Sequence, residues 1–362
     1  MDNRYKMHVI NANIGKLILT LSGTEGKFIP REINIFPVNN LLNLPNVSAG
    51  KCAKKLSVYT DASGNQAVVP PGWTVSKLET ENTIWGKNLG MVIYRIPAKY
   101  AKNIDWNNLE EIQSQFDQFV YVPINLLDAK CTQNGIAFGE KFGRINYRED
   151  AFSGRDYHEL PDAELVLQVE SIKKYGGFYI SRYNVSNRNG KPRSVKGAIP
   201  WVNIDFNTAK LKASKFRNNA TTKSHLVFGS EYDSVLSWIE KVESKTLEEI
   251  RDDSTTWGNY GISRGKTSKN NPTSWENYGL HQKKNFRIAK TGSSESYCVN
   301  NIYDLAGNIN EWTQERYGKD YCVLRGGSFK DAGFFYPAAY RDYEFPTDSN
   351  SATGFRASLL IK

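Results

Sequence analysis

Along the first third of the chain, apolar residues come in short runs broken by turn chemistry: KLILTL (16–21) before SGTEG, EINIFPV (32–38), and KLSVYT (55–60) before DASGN. Such runs predict strands joined by tight turns, and so a small β-rich N-terminal module over residues 1–117, suited to attachment or assembly. WNNLEEIQSQFDQ (106–118) has helical composition, and FVYVPINLL after it predicts a strand that opens a second unit, 118–362. The domain boundary is therefore expected near residue 117. Further on the period lengthens. AELVLQVESIKKY (163–175) predicts a helix ended by Gly176-Gly177, with the strand FYISRYNVS following. FNTAKLKASKFR (206–217) predicts another helix. In EYDSVLSWIEKVES (231–244), Tyr232, Val235, Leu236, Ile239 and Val242 share one face at the spacing of a core-facing helix. Residues 128–165 are polar and irregular. Residues 250–297 are rich in Gly, Asn, Ser and Thr without a period, a long loop region of the kind that often carries function. Together these elements define an α+β chain, and no internal repeat is visible.

Composition narrows the class. With 40% hydrophobic and 23% charged residues in 362, the chain has the makings of a folded protein with a sizeable core. MDNRYKMHVINANIGK at the N-terminus lacks an apolar h-region, and no apolar run reaches membrane-spanning length. The expectation is a chain without a signal peptide and without membrane insertion, cytoplasmic until assembly or release, or virion-associated. The formal charge of +9 is spread over KCAKK, AKLKASKFR and QKKNFR, with no nucleic-acid motif to frame it. Nucleic acid is therefore not the expected partner.

Several chemistries fail on spacing. GISRGKT (261–267) imitates a phosphate-binding loop, but Tyr260 stands where the first Gly is required. His8, His158, His225 and His281 share no metal-ligand spacing, and the four cysteines, Cys52, Cys131, Cys298 and Cys322, form no CxxC pair. No GxSxG is present.

The C-terminal blocks carry a resemblance. Tyr303-Asp304-Leu305-Ala306-Gly307-Asn308-Ile309-Asn310-Glu311-Trp312-Thr313, then Arg325-Gly326-Gly327-Ser328-Phe329, then Gly354-Phe355-Arg356 resemble the signature blocks of the formylglycine-generating (sulfatase-modifying factor) enzyme family. GGFYISRYNVS, AIPWVNIDFNTAKLKASKF and SHLVFGSEYDSVLSWI stand where that family has its upstream blocks, so the likeness runs over about 118–362. It implies a C-type-lectin-like fold for that part. It also implies a structural Ca²⁺, held by the side chains of Asp304 and Glu311 and the carbonyls of Gly307 and Ile309. Hard carboxylate oxygens beside a glycine turn suit such an ion. The alternative is a turn in which Asp304 and Asn308 make local hydrogen bonds and Glu311 pairs with an arginine. Trp312 and the glycines of Arg-Gly-Gly-Ser are expected to be framework.

The chain departs from the family where its enzymes do chemistry. The oxidases need thiols just after Arg-Gly-Gly-Ser to take up copper, and SFKDAGFFYPAAYRDYEFPTDSNSATGFR has none. The iron-dependent relatives need a histidine-rich domain that four scattered histidines cannot supply, so neither copper nor iron is expected. Asp331, Phe334, Phe335, Tyr336, Tyr340, Asp342, Tyr343 and Glu344 fill the interval instead, a mixture of rigid rings and acids typical of recognition surfaces. Alternation should bury about half of the aromatics. The interval is also where receptor binders diversified by retroelements, which are similar in fold, place their variable residues. AVVPPGWTVSKLETENTIWGKNLGMVIYRIP resembles segments of phage-like proteins. The reading is a non-catalytic binder of a cell-surface protein or glycan, phage tail-associated or cell-surface-recognising, with homo-oligomerisation, for instance as a trimer, adding avidity. The alternatives are an oxidase in which the fold brings Cys298 and Cys322 together, and a purely structural virion component.

Overall fold

In this computed structural model the described residues are 43–61, 66–78, 90–101, 103–124, 145, 147, 156–160, 162–262 and 286–362, with the strand backbones at 6–13, 16–22, 31–33, 263–264 and 280–282. The Gly-Thr-Glu-Gly of the SGTEG turn, most of 128–155, Cys131, the Gly-Lys-Thr of the phosphate-loop imitation and NTIWGKN lie outside them.

KLILTL lies in the strand Lys16–Ser22 and the start of EINIFPV in Arg31–Ile33; with Lys6–Asn13, which the sequence reading did not single out, they make a three-stranded antiparallel sheet. Val92–Tyr94 pairs with Gln118–Pro123, and Thr74–Val75 pairs with Val92–Tyr94, so the boundary expected at residue 117 falls inside a six-stranded antiparallel sheet. That sheet continues through Gly177–Ser181, the C-terminal strand Ala357–Ile361 and Thr222–Leu226. Its two faces bury separate cores. One holds Val92, Val120, Phe178, Ile180 and Leu236; the other holds Met91, Phe119, Tyr179, Leu359 and Trp312. Period-2 alternation along Gln118–Pro123 and Gly177–Ser181 puts successive side chains into one or the other. The described residues of 57–124 thus share their hydrophobic burial with the C-terminal half.

Two helices follow the sequence closely. Ala163–Tyr175 starts at Asp162, whose carboxylate accepts from the backbone N–H groups of Glu164 and Leu165, and stops at Gly176 with φ +75. An aspartate cap and a left-handed glycine are the ordinary chemistry of helix ends. Gly229–Lys241 carries the predicted apolar face, yet its polar residues Ser230, Glu231, Asp233 and Ser234 are buried too. The helix is enclosed on nearly every side.

A second sheet supports the C-terminal blocks. Arg341–Glu344, Tyr321–Arg325 and Asn310–Tyr317 run antiparallel, Thr353–Phe355 lies parallel to Asn310–Tyr317, and Tyr157–Glu159 pairs with its far end. The chain leaves this sheet at Phe355 and enters the six-stranded one at Ala357, so Arg356 is the single residue between them. No helix among the described residues is long and apolar enough to cross a membrane.

One buried polar group sets a pH response. His225 Nε2 lies 3.0 and 3.1 Å from the two oxygens of Glu231, which also accepts from Gln168 Nε2 at 2.5 Å, Ser358 Oγ at 2.6 Å and the Phe228 N–H at 2.8 Å. Burial alone would push the imidazole down. The Glu231 charge and hydrogen bond, with Glu164 behind them and Lys223 opposing, hold it above its ordinary value. A raised folded-state value means the pair contributes fully below the unfolded histidine value of about 6.5 and loses that contribution as pH rises through the folded-state value. The stability difference between wild type and His225→Gln, measured by urea unfolding from pH 5 to 10, should therefore shrink with rising pH. A difference that stays constant or grows would contradict this.

Candidate recognition surface

The interval after Arg-Gly-Gly-Ser begins with a backbone few residues could follow. Gly326 and Gly327 have φ of +91 and +69, and a Cβ on Gly327 would come within 2.6 Å of the Tyr336 carbonyl oxygen. Ser328 then donates from its N–H and its Oγ to Asp331 Oδ2, at 2.8 and 2.7 Å. The Asp331 carbonyl accepts from the N–H groups of Gly261 and Ile262. Tyr260 Oη donates to the Gly326 and Tyr336 carbonyls, Ser254 Oγ accepts from the Ala338 N–H, and the Ile250 carbonyl accepts from the Ala339 N–H. Ala332, Phe334, Ala338 and Ala339 are buried. The interval is irregular in shape but tied along its length.

The eight residues singled out from sequence divide four ways. Phe334 is buried against Ala332 and Ile262, with the Phe335 ring 4.7 Å from its own. Phe335 is 56% exposed. Asp331, Tyr336, Tyr340, Asp342 and Glu344 are half-buried; Asp331 and Asp342 stand within electrostatic reach of Tyr336 and of each other, and Asp342 within reach of Glu344. Burial raises Asp342, and the charge of Asp331 adds to it; burial raises Glu344, with Asp342 and Asp348 adding to it. The Asp331 carboxyl is raised by burial against the opposing bonds from Ser328. Tyr336 and Tyr340 meet edge-on at 4.9 Å. Tyr343 leaves this group: strand alternation sends it, with Arg341, to the other face from Asp342 and Glu344. There it joins Tyr317 at 4.3 Å and Tyr321 at 5.1 Å, beside Tyr157 and Phe345.

Beneath the surface lies a group that sequence reading missed. Arg325 Nη2 is 2.7 Å from Asp233 Oδ1, and Arg341 pairs with Asp233 Oδ2 through Nη2 and with Glu315 through Nε at 2.9 and 3.1 Å. Arg325 Nη1 lies 3.7 Å from Glu315, and the Arg325 guanidinium sits over the Tyr232 ring. All four charged side chains are buried. Arg325 precedes the interval, Arg341 lies within it just before Asp342, and both close on Asp233. The available signal was an aspartate set among core residues of a helical pattern, which demands a buried cation.

The turn at 303–311 is equally well defined. Asp304, Gly307 and Asn308 have φ of +60, +68 and +63, and a Cβ on Gly307 would meet the Asn259 carbonyl oxygen at 2.6 Å. The Gly307 carbonyl accepts from the Ile309 N–H, and Asn308 is held by Asn259, Ala289 and Asn184. Glu311 is paired with Arg356, Nη2 at 2.9 Å, and accepts from Asn184 Nδ2 at 2.6 Å. Asp304 is buried, its Oδ2 reached only weakly by the Gly292 N–H at 3.4 Å and its Oδ1 unpartnered among the described residues. Burial, against the pull of Arg356, pushes its carboxyl up to about 7. The four groups expected around calcium are thus neighbours in one turn, but the set fits a hard divalent cation poorly, because a guanidinium already takes the Glu311 oxygens. Among the described residues no three His, Cys, Asp or Glu side chains are grouped to hold a metal.

The two thiols of the oxidase alternative sit in different surroundings. Cys322 lies on Tyr321–Arg325 beside Arg316, whose Nη1 is 2.7 Å from the sulfur. Cys298 lies near Arg182, Glu295 and Tyr303. Burial pushes each thiol up to about 11, away from the thiolate that copper chemistry requires.

A mixed fold of this kind, with its irregular loops seated on the short sheet, is C-type-lectin-like, of the formylglycine-generating-enzyme type. Residues 248–359 match the Sulfatase-modifying factor enzyme 1-like domain family. Among curated proteins the chain is similar to "Serine/threonine-protein kinase pkn1" of Chlamydia pneumoniae, 35% identical over 98 residues, and to its namesake in Chlamydia caviae, 32% identical over 99 residues. The matches cover 21% and 22% of this chain and only 16% of each kinase. Among solved structures, CarF covers 51% of this chain and 87% of its own (TM-score 0.37, 17% identity). Treponema denticola variable protein 1 covers 51% and 84% (TM-score 0.28, 16%). PvdO from Pseudomonas aeruginosa covers 68% and 95% (TM-score 0.33, 14%).

Proposed function

We propose that this chain is a non-catalytic binding protein that presents residues 331–344 to a ligand on a cell surface, protein or glycan. The observation that carries the reading is the division of labour within the interval. Its backbone and small residues are held by buried partners, while Phe335, Tyr336, Tyr340, Asp342 and Glu344 remain at the surface. Rings and acids held on a rigid support give contact area at low entropic cost. The finer reading is a phage tail-associated or surface-displayed receptor binder of the retroelement-diversified kind, acting as an oligomer. It rests on the blocks that flank the interval. The oxidase reading gains nothing from the geometry, since its two thiols share no described neighbour and both are held protonated.

The test is binding of purified protein to an array of bacterial cells and envelope glycans. The double variant Phe335→Ala, Tyr340→Ala should lose at least about tenfold in affinity, the scale of interface hot spots, while its circular dichroism and melting stay close to wild type. Undiminished binding by a folded double variant would place recognition elsewhere on the molecule.

A further inference from the structure

We propose that the Arg356 guanidinium is the built-in cation of the 303–311 turn, filling the role that a bound divalent metal would have there. The contacts around it are a nearly complete set of oxygens. Nη2 donates to the Tyr303 carbonyl at 2.7 Å, to Glu311 Oε1 at 2.9 Å and to the Asp304 carbonyl at 3.3 Å. Nε reaches both Glu311 oxygens at 3.2 Å, and Nη1 donates to the Ser181 carbonyl at 2.8 Å. A carboxylate and three main-chain carbonyls from two segments are the kind of donors a hard cation collects. Here they converge on a planar, permanently charged fork.

Three features favour the guanidinium over an ion in this place. Arg356 and Glu311 are both buried, so their mutual charge is poorly screened and a divalent ion brought beside Glu311 would face the arginine at close range. Asn184, itself hydrogen-bonded to Asn308, takes a further lone pair of Glu311 Oε1, which leaves that carboxylate little capacity for a metal. Arg356 is also the residue at which the chain passes from one sheet to the other. A covalently attached cation therefore fixes that crossing, the turn and the strand Gly177–Ser181 in one step, whatever the calcium concentration of the surroundings. The consequence is a domain whose stability is independent of calcium.

Thermal unfolding of the full chain in EDTA and in millimolar Ca²⁺ tests this, with Arg356→Ala, Arg356→Lys and Glu311→Gln alongside. Wild type should melt at the same temperature in both solutions. Arg356→Ala should melt lower, with part of the loss recovered in Ca²⁺, because the vacated oxygens then receive the ion. Arg356→Lys, which keeps a charge in the cage, should show no such recovery. If Arg356→Ala does not fold in EDTA, its soluble refolding yield is read with and without Ca²⁺, and a higher yield with the ion carries the same meaning. A wild-type midpoint that falls in EDTA and returns with Ca²⁺, through a response that Glu311→Gln abolishes, would overturn the proposal. So would an Arg356→Ala variant indifferent to calcium in both midpoint and yield.

Discussion

Replacing Asp233 with alanine should destabilise the protein by about 3–5 kcal/mol, the range seen when one partner of a buried ion pair is removed. Asp233 accepts from both Arg325 and Arg341, and its Oδ2 also accepts from the Ile145 N–H at 2.9 Å. Without it the two buried guanidinium groups keep, among the described residues, Glu315 as a carboxylate neighbour, which Arg325 meets at 3.7 Å. The cost comes from unpaired charge more than from any attraction lost. Asp233→Asn, which keeps the shape and drops the charge, should fall between wild type and alanine. Arg341→Met, which removes a cation but fills its space, should cost less than Asp233→Ala. Urea unfolding gives the measure, and an Asp233→Ala midpoint within experimental scatter of wild type would show that the cluster carries no net stability.

Trp312→Ala should cost a comparable amount, about 3–5 kcal/mol for an indole removed from a packed core. The ring is fully buried, meets Phe206 edge-on at 6.0 Å, and donates from Nε1 to the Ile204 carbonyl at 2.9 Å. Its strand position pairs with Leu324 on one side and Phe355 on the other, so the cavity opens at the centre of the second sheet. Trp312→Phe separates the terms: it keeps much of the volume and orphans the Ile204 carbonyl, a loss of about 1–3 kcal/mol. If the alanine and phenylalanine variants unfold at the same urea concentration, packing of the ring is not what holds this region.

The elements that were legible in the sequence are those whose causes are local. Ala163–Tyr175 was bounded by an aspartate that caps it and a glycine that ends it, both within the helix's own sequence. Trp312 and the two glycines of Arg-Gly-Gly-Ser also behave as framework, because an indole in an apolar block and glycines at positive φ have few other uses. The pairing of strands across the boundary expected at residue 117 has a non-local cause. Strands at 57–60 and 92–94 have the same short, turn-bounded character as those at 6–33, and nothing in their composition tells which sheet they join. The cluster on Asp233 was hidden for the same reason, since its partners lie 92 and 108 residues away. In the interval itself the residue types were informative and their facing was not. Tyr343 looked equivalent to Tyr340 until the pairing of Arg341–Glu344 with Tyr321–Arg325 turned it to the opposite face.

The two arginines that close on Asp233 also bear on how this protein could be remodelled. Because Arg325 and Arg341 are both moored to Asp233, on a helix outside the interval, exchange of Phe335, Tyr336 and Tyr340 does not replace any of these charged groups. Extra residues inserted near Phe335 would add the slowly growing entropy of a longer closed loop, about 0.6 kcal/mol per doubling, on top of the loss of the bonds from the Phe335 and Tyr336 N–H groups to the Ala332 carbonyl. The segment is thus laid out as a cassette, open to grafted peptides and to libraries of random substitutions at Phe335, Tyr336 and Tyr340, on a chassis that need not be redesigned for each new sequence.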